Sequence, residues 1–468
     1  MMKTMTRRIL PIACAMLLAG CMVGPDYRRP AVDVPPAWKE QPGWTRAQPA
    51  AAQAKGRWWR AFHDPLLNEL EPLVAVSNQT VRQSYASYQE ALANLRIAQA
   101  GLFPILTVTG QQTRQNTPGG SFGVPGQLAT VGGAAANVSW TPDIWGQIRR
   151  QIEESRATAQ ADQALLANAT LSEQIALAEA VIDLRVVDAD TDLLQRTVIA
   201  YRRFLRVVAE QDLAGTVAPS QVVAAQTQLD NARASLIALG VARAQYAHAI
   251  AVLVGRNPED LAIVGDRSLP FLPAVAAGLP STLLQRRPDV AAAERQMAAA
   301  NAAIGVATAA YYPTVTLLGS YGVSPLAGLL QASNRAWSLG ANASELVFNG
   351  GQNIAEVALA RAGYQATVAS YRNTVLGALQ SVEDDLAGLR ILARQADALA
   401  IAVRDATRGS EIALHELEAG TVDYTTVAIA LTTQFGDEQS ALTVHQQRLL
   451  DTVALIGDLG GGWTGLRP

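Results

Sequence analysis

The chain has 468 residues, 16% of them charged and 6% aromatic, and a formal net charge of −3. That balance lacks the basic footprint of a nucleic-acid binder and excludes DNA and RNA as partners. The length admits two or three ordinary domains, but long stretches dominated by Ala, Gln and Leu are not an ordinary globular composition.

Lys3, Arg7 and Arg8 open the chain, and the apolar stretch Ile9 to Ala19 follows. It is too short to cross a bilayer core of about 30 Å and reads as a secretion signal. It closes in Leu18-Ala19-Gly20-Cys21, which resembles a bacterial lipobox: small residues fit the signal peptidase, and the Cys21 thiol takes a diacylglycerol before cleavage. Met22 in place of an aspartate at the second mature position favours the outer membrane. Residues 1–20 are then a removed lipoprotein signal. Cys14 leaves with them and Cys21 is consumed by lipid, so no disulfide forms. Loss of Lys3, Arg7 and Arg8 with no acid moves the net charge from −3 to −6. No run of about twenty apolar residues follows the signal, so a membrane crossing has to be a closed β-barrel.

The mature chain repeats itself once. Leu102-Phe103-Pro104 answers Tyr311-Tyr312-Pro313 at an offset of 209, and Ala214-Gly215-Thr216-Val217 answers Ala419-Gly420-Thr421-Val422 at 205. The first copy therefore carries about four extra residues in a loop. Two hairpins are expected, one per copy: Pro104 to Thr117 with about 130–141, and Pro313 to Val323 with about 336–348. Strands of about ten residues suit a tilted barrel wall, and Ile105, Thr107 and Thr109 alternate with Leu106 and Val108. Gln147 to Ala214 holds neither Gly nor Pro, and Leu171, Ile175, Ala178, Ile182 and Val186 step at helical spacing. Such a helix reaches about 100 Å. Gln352 to Ala419 holds Gly but no Pro and carries the same kind of pattern. Each long helix meets a Gly-Thr-Val turn and a returning helix, about 219–254 and about 423–455. Ala-rich faces let helices approach as side-by-side coiled coils. Four strands cannot close a barrel, so the chain has to oligomerise; three copies give twelve strands.

Cys21-Met22-Val23-Gly24-Pro25-Asp26-Tyr27, followed by Arg28-Arg29-Pro30, resembles the mature start of the NodT-type branch of the TolC-like outer-membrane factors. Trp58-Trp59-Arg60-Ala61-Phe62-His63-Asp64-Pro65-Leu66 and Asn78 are similar to the segment that follows it. Arg286-Arg287-Pro288-Asp289-Val290 with Glu294 resembles the start of the family's second half. Thr141 to Gly146 and Leu346 to Gly351 resemble its strand-to-helix junctions. The resemblance covers essentially the whole mature chain. It implies a mixed fold, all-α plus membrane β-barrel: a homotrimer with a twelve-stranded composite barrel, four strands per chain, and a long periplasmic α-helical barrel. A belt is expected from about 22–75, 256–285 and 456–468. The domain organisation is then 1–20 signal, 21–75 anchor and equatorial segment, 76–270 first repeat, and 271–468 second repeat with the C-terminal equatorial segment.

The resemblance further implies an outer-membrane, lipid-anchored exit duct of a tripartite efflux system. Its partners are a periplasmic adaptor of the membrane-fusion type and an inner-membrane RND pump, with outer-membrane lipid around it. It implies no enzyme and no cofactor beyond the lipid on Cys21. The adaptor is expected at the turn tips, Gly215-Thr216-Val217 and Gly420-Thr421-Val422. Family members carry acids one and two turns beyond the second tip; this chain offers Asp423 alone, followed by Tyr424. Asp423 in several copies forms an acidic ring that favours cations, with Tyr424 narrowing it, or else it is a helix N-cap. Alternatives are the exit channel of a type I protein secretion system and a structural envelope lipoprotein without a pore.

Other motifs carry no chemistry. Gly119-Gly120-Ser121-Phe122-Gly123 has the hydrolase-elbow pattern but falls in a loop between strands. Gly460-Gly461-Gly462-Trp463-Thr464-Gly465 has the dinucleotide pattern with no helix to follow. His63, His248, His415 and His445 stand apart from other metal ligands. Glu383-Asp384-Asp385 reads as a solvated helix face.

Overall fold

The computed structural model describes residues 22–32, 34–40, 56–117, 127–275, 286–324, 332–463 and 465. The signal, Cys21 and residues 119–123 lie outside them. A 3-10 turn at Trp58–Phe62 leads into α1 (Pro65–Ser77), α2 (Gln79–Ala100), β1 (Ile105–Thr117) and β2 (Gln127–Trp140). The helices α3 (Gln147–Leu213) and α4 (Pro219–Leu253) complete the first half. The second half is α5 (Pro288–Ala309), β3 (Thr314–Val323), β4 (Arg335–Ser344), α6 (Gln352–Glu418) and α7 (Tyr424–Asp458). At 67 residues each, α3 and α6 are about 100 Å long.

The duplication extends to individual hydrogen bonds. Gly255 crosses the carbonyl of Ser77 and Gly460 that of Arg286; a Cβ on either would lie 2.2 Å from the carbonyl oxygen. The Asn78 side chain donates to Leu253 O at 2.9 Å, and Arg287 donates to Asp458 O at 3.0 Å. These pairs obey the same two offsets as the sequence, so each half folds the same way around its own helix ends. The glycine run at 460–462 is thus a close-packing device: a Cβ on Gly461 would meet Leu171 at 2.4 Å.

The four strands form one antiparallel sheet in the order β1-β2-β3-β4, with the two hairpins joined through β2 and β3. Two strand ends differ from expectation. Thr117, the last residue of β1, pairs with Gln127, so β2 starts three residues early. Thr314, the first residue of β3, pairs with Ser344, so β4 stops there and Leu346 to Phe348 have no ladder partner. Register with the neighbour, which composition does not reveal, sets both ends.

The chain divides into two compact units. One comprises Met1–Ala31, Tyr88–Asp162 and Ala293–Tyr371, and holds the sheet. The other comprises Val32–Ser87, Gln163–Ala292 and Arg372–Pro468. The core of this second unit gathers Trp58, Trp59, Phe62, Leu67, Leu70 and Val74 against Leu177, Val181, Ile182 and Leu184 of α3, with Ile250 of α4 and Leu449 and Val453 of α7. One buried ion pair fixes the Trp-Trp segment to α3. Asp64 caps α1 by accepting from Leu67 N–H at 2.9 Å, and takes Arg185 Nε at 2.9 Å on its other oxygen. Both carboxylate oxygens are thereby satisfied, as burial requires.

Windows of α3 and α4 are apolar enough, by length and composition, to cross a membrane. Leu, Ile and Val supply most of that hydropathy, and the alanines between them let neighbouring helices approach closely, so the windows read as hydrophobic while serving as coiled-coil faces. Only 11% of the α4 window is buried within the chain, and Ile237, Val241 and Val252 stay exposed.

Glu71 is 0% exposed, and neither of its carboxylate oxygens has a hydrogen-bond partner among the described residues. Burial pushes its pKa up from 4.5 to about 9. Between those values the folded chain holds a proton that the unfolded chain has lost, so stability falls as pH rises through the window. The slope is at most about 1.4 kcal/mol per pH unit. Glu71→Met is expected to raise the unfolding midpoint of the detergent-solubilised protein, by more at pH 8.5 than at pH 5.5. An equal effect at both values would show that Glu71 is not held protonated.

Candidate functional site

Residues directly opposed in an antiparallel ladder share a face, so the register sorts the sheet. One face carries Leu106, Val108, Val138, Trp140, Val315, Leu317, Tyr321, Trp337 and Leu339, with Gln112, Arg114, Asn116 and Arg335 toward the strand ends away from the helices. The other carries Thr107, Thr109, Asn137, Ser139, Thr316, Ser320, Ser338 and Asn342, broken by Ile105 and Leu318. On that polar face Ser320 and Ser338 hydroxyls meet at 2.8 Å. On the apolar face Leu106, Val108, Trp337 and Leu339 are all exposed. An exposed apolar face backed by a polar one is the two-sided wall of a membrane barrel. Aromatic side chains mark where the strands meet the helices. Trp145 stacks on Tyr312 with centroids 4.9 Å apart, and its Nε1 donates to Pro313 O at 2.8 Å. Trp140 Nε1 donates to Leu102 O at 3.0 Å. Rings with one polar atom satisfied are the usual tenants of a membrane–water interface.

The two helix turns are built alike. Gly215 and Gly420 adopt φ of 72° and 73°, a left-handed conformation that a glycine takes at little cost. The Thr216 N–H reaches back to Gln211 O and the Thr421 N–H to Glu416 O, both at 2.9 Å, and each Thr hydroxyl bonds the same carbonyl. This is the Schellman closure of a helix C-terminus. Gly215, Thr216, Gly420 and Thr421 are exposed, whereas Val217 and Val422 are half-buried. Those two valines pack on a core of Tyr201, Phe204, Val208, Leu229, Leu417, Val427 and Leu431 that joins both helix hairpins.

Asp423 caps α7: its Oδ1 accepts from Thr426 N–H at 2.9 Å and from the Thr426 hydroxyl at 2.7 Å. Those bonds hold its carboxyl below the usual carboxylate range, so the exposed group is ionised. Tyr424 stacks on Phe204 at 5.2 Å within the same chain. Arg203 ties the two hairpins by donating to Glu418, and Gln211 Nε2 donates to Leu417 O at 3.1 Å.

Of the acids at 383–385, Asp384 alone is exposed. Glu383 accepts the backbone N–H groups of Lys39 at 2.7 Å and Glu40 at 3.0 Å, pinning the N-terminal segment. Asp385 is pushed up by burial and by Asp458 beside it. Among the described residues no group of three or more His, Cys, Asp or Glu side chains is set to hold a metal.

Sequence reading passed over Arg150, which is 1% exposed and joins α3 to Val23, Gly24 and Asp26. One signal was present: a cation in the first turn of a helix opposes the helix dipole, so its place there asks for a partner. Phe204 was missed because an aromatic inside a long helical period looks like any core residue.

A two-faced sheet with unpaired outer edges, in a chain that also forms helix hairpins of this length, defines a subunit of an outer-membrane channel. The sequence model of a family described as outer membrane efflux protein matches twice, at residues 72–256 and 279–461. The toluene efflux pump outer membrane protein TtgC of Pseudomonas putida is 29% identical over 469 residues, spanning 98% of this chain and 96% of TtgC. Among solved structures, the outer-membrane channel OprN superposes with a TM-score of 0.87 at 28% identity, over 95% of this chain and 100% of that one. The open state of the Neisseria gonorrhoeae MtrE outer membrane channel gives 0.84 at 25% identity, over 94% and 98%. The chain belongs to the outer membrane efflux protein family. It has the TolC-like channel fold, resides in the outer membrane and serves as the exit duct of an efflux system.

The capping role of Asp423 has a direct readout. Asp423→Ala is expected to speed amide exchange at Thr426 by roughly three- to ten-fold, while Asp423→Asn, itself a good cap, stays near the parent. Equal exchange in all three proteins would remove the cap.

Proposed function

We propose that three copies of this chain close a twelve-stranded barrel and act as a passive, non-enzymatic duct. Cys21 carries the diacylglycerol anchor, and no other cofactor takes part. The observation that supports closure by other copies is the sheet itself: β1 and β4 are paired on one side only, and a free edge does not persist in lipid. The exposed apolar residues of α4, with Ile354, Leu359 and Ile401 of α6, supply helical surface for neighbouring copies to cover.

The duct joins a periplasmic adaptor of the membrane-fusion type at the tips Gly215-Thr216-Val217 and Gly420-Thr421-Val422, and through it an inner-membrane RND pump. The near-identical geometry of the two tips supports one adaptor surface meeting both. Their exposed Thr residues supply the contact, while Val217 and Val422 anchor each turn inward. Asp423 adds one exposed negative charge per chain and favours cations at the gate. Tyr424, stacked on Phe204, steadies the segment that presents it. TtgC is named for toluene efflux, which supports small organic molecules as the cargo class.

A photo-crosslinking amino acid at Thr421, followed by mass spectrometry of what it captures in living cells, tests the reading. Capture of an RND-type adaptor is the expected result. Capture of a type I secretion adaptor would move the function to protein export. Well-assembled protein that captures neither would overturn the tip assignment.

A further inference from the structure

The first mature residues are laced to the sheet-bearing unit almost residue by residue. Met22 packs on Gly146, where a Cβ would lie 2.4 Å from the Met22 Cγ. The Val23 N–H donates to Trp145 O at 3.1 Å. Asn301 Nδ2 donates to Pro25 O at 2.9 Å, and the Tyr27 hydroxyl to Glu294 Oε1 at 2.6 Å. Arg29 donates to the Tyr371 hydroxyl at 2.8 and 3.1 Å.

Arg150 sits at the centre of this lacing. Its Nε donates to Val23 O at 3.1 Å, and its Nη2 to Gly24 O at 3.2 Å and to Asp26 Oδ1 at 2.9 Å. Its Nη1 donates to Glu153 at 2.7 Å. Two glycines make room for it. A Cβ on Gly305 would lie 2.8 Å from the Arg150 Cγ and Cδ, and a Cβ on Gly24 (φ 92°) would lie 2.4 Å from the Gly305 Cα. Strap and helix α5 therefore meet backbone to backbone, with the guanidinium laid across the crossing. A buried cation requires its partners, and three of the four bonds here go to the strap. The partners come from both halves of the repeat: Arg150 and Trp145 from the first, Glu294, Asn301 and Gly305 from the second.

Resting on the lipidation of Cys21 argued above, we propose that Arg150 is the positioning residue of the acyl anchor. It clamps residues 22–27 as a fixed strap, so that Met22, the residue that follows the acylated Cys21, is held against Gly146 at its own subunit's strand-to-helix junction. Without the clamp, the strap is left on the single bonds of Val23 to Trp145, Asn301 to Pro25 and Tyr27 to Glu294, and release of its seven residues would let the anchor range about 25 Å from Arg29. With it, the lipid enters the membrane at one fixed place on each subunit.

The test feeds cells a palmitate analogue bearing a diazirine and an alkyne, purifies the assembled protein, irradiates it and maps the adducts. In the parent, adducts concentrate on peptides covering 141–148 and 311–313. In Arg150→Ala that share falls at least threefold while assembly persists. Trypsin cleavage after Arg28 supplies a readout independent of lipid: it is expected to run at least tenfold faster in Arg150→Ala than in the parent. Should Arg150→Ala fail to fold, Gly24→Val undocks the strap while leaving Arg150 in place and is expected to show both effects. Adducts and cleavage unchanged in an assembled variant would overturn the clamp. Parent protein without any fatty acid, yet with the expected cleavage difference, would overturn the lipidation of Cys21 and keep the clamp.

Discussion

The outer edges of β1 and β4 are the constraint on which the rest of the structure depends. A backbone N–H or C=O without a partner costs several kcal/mol in hydrocarbon, and each edge strand carries a row of them. The apolar face defined by Leu106, Val138, Leu317 and Leu339 commits the sheet to lipid, so the edges have to be completed by further copies of the chain. Oligomerisation is thus a condition of membrane residence. The same requirement accounts for helices whose apolar residues remain exposed in a single chain.

The helix hairpins follow a second logic, that of carrying a long wall with little material. Helices as long as α3 and α6 are held along their sides, since propensity alone does not keep such lengths straight. Small side chains bring neighbours close, while a few large ones concentrate where the hairpins must be fastened. Phe204 against Tyr424 and Arg203 against Glu418 fasten the ends near the turns. The Asp64–Arg185 pair and the tryptophans fasten the middle. Duplication supplies both hairpins from one plan, down to the glycines that cross Ser77 and Arg286.

Much of this was legible in the sequence because it rests on period. Four strands, two long helices and two Gly-Thr-Val turns repeat at fixed offsets, and the Gly- and Pro-free run of α3, carried over by the repeat to α6, sets the bounds of both helices to within a few positions. What was not legible depends on a partner distant in sequence. The β4 boundary is set by Thr314, and Glu383 is occupied by the backbone of Lys39 and Glu40. The neutral Glu71 sits at a position whose burial only the fold reveals. Arg150 is the clearest case: Gln147-Ile148-Arg149-Arg150 looks like a solvated helix start, and only the fold brings Val23, Gly24 and Asp26 to it. Asp423 was readable in two ways from sequence, and its bonds to Thr426 show that it caps α7 while remaining exposed.

The most direct test of the central claim is to record conductance across a planar bilayer from purified protein whose mass has been measured in detergent. The account predicts discrete conductance steps from a species of three chains that survives sodium dodecyl sulfate without heating, and none from dissociated chains. A folded monomer in the outer membrane, or a stable trimer that never conducts even when its adaptor is supplied, would contradict it.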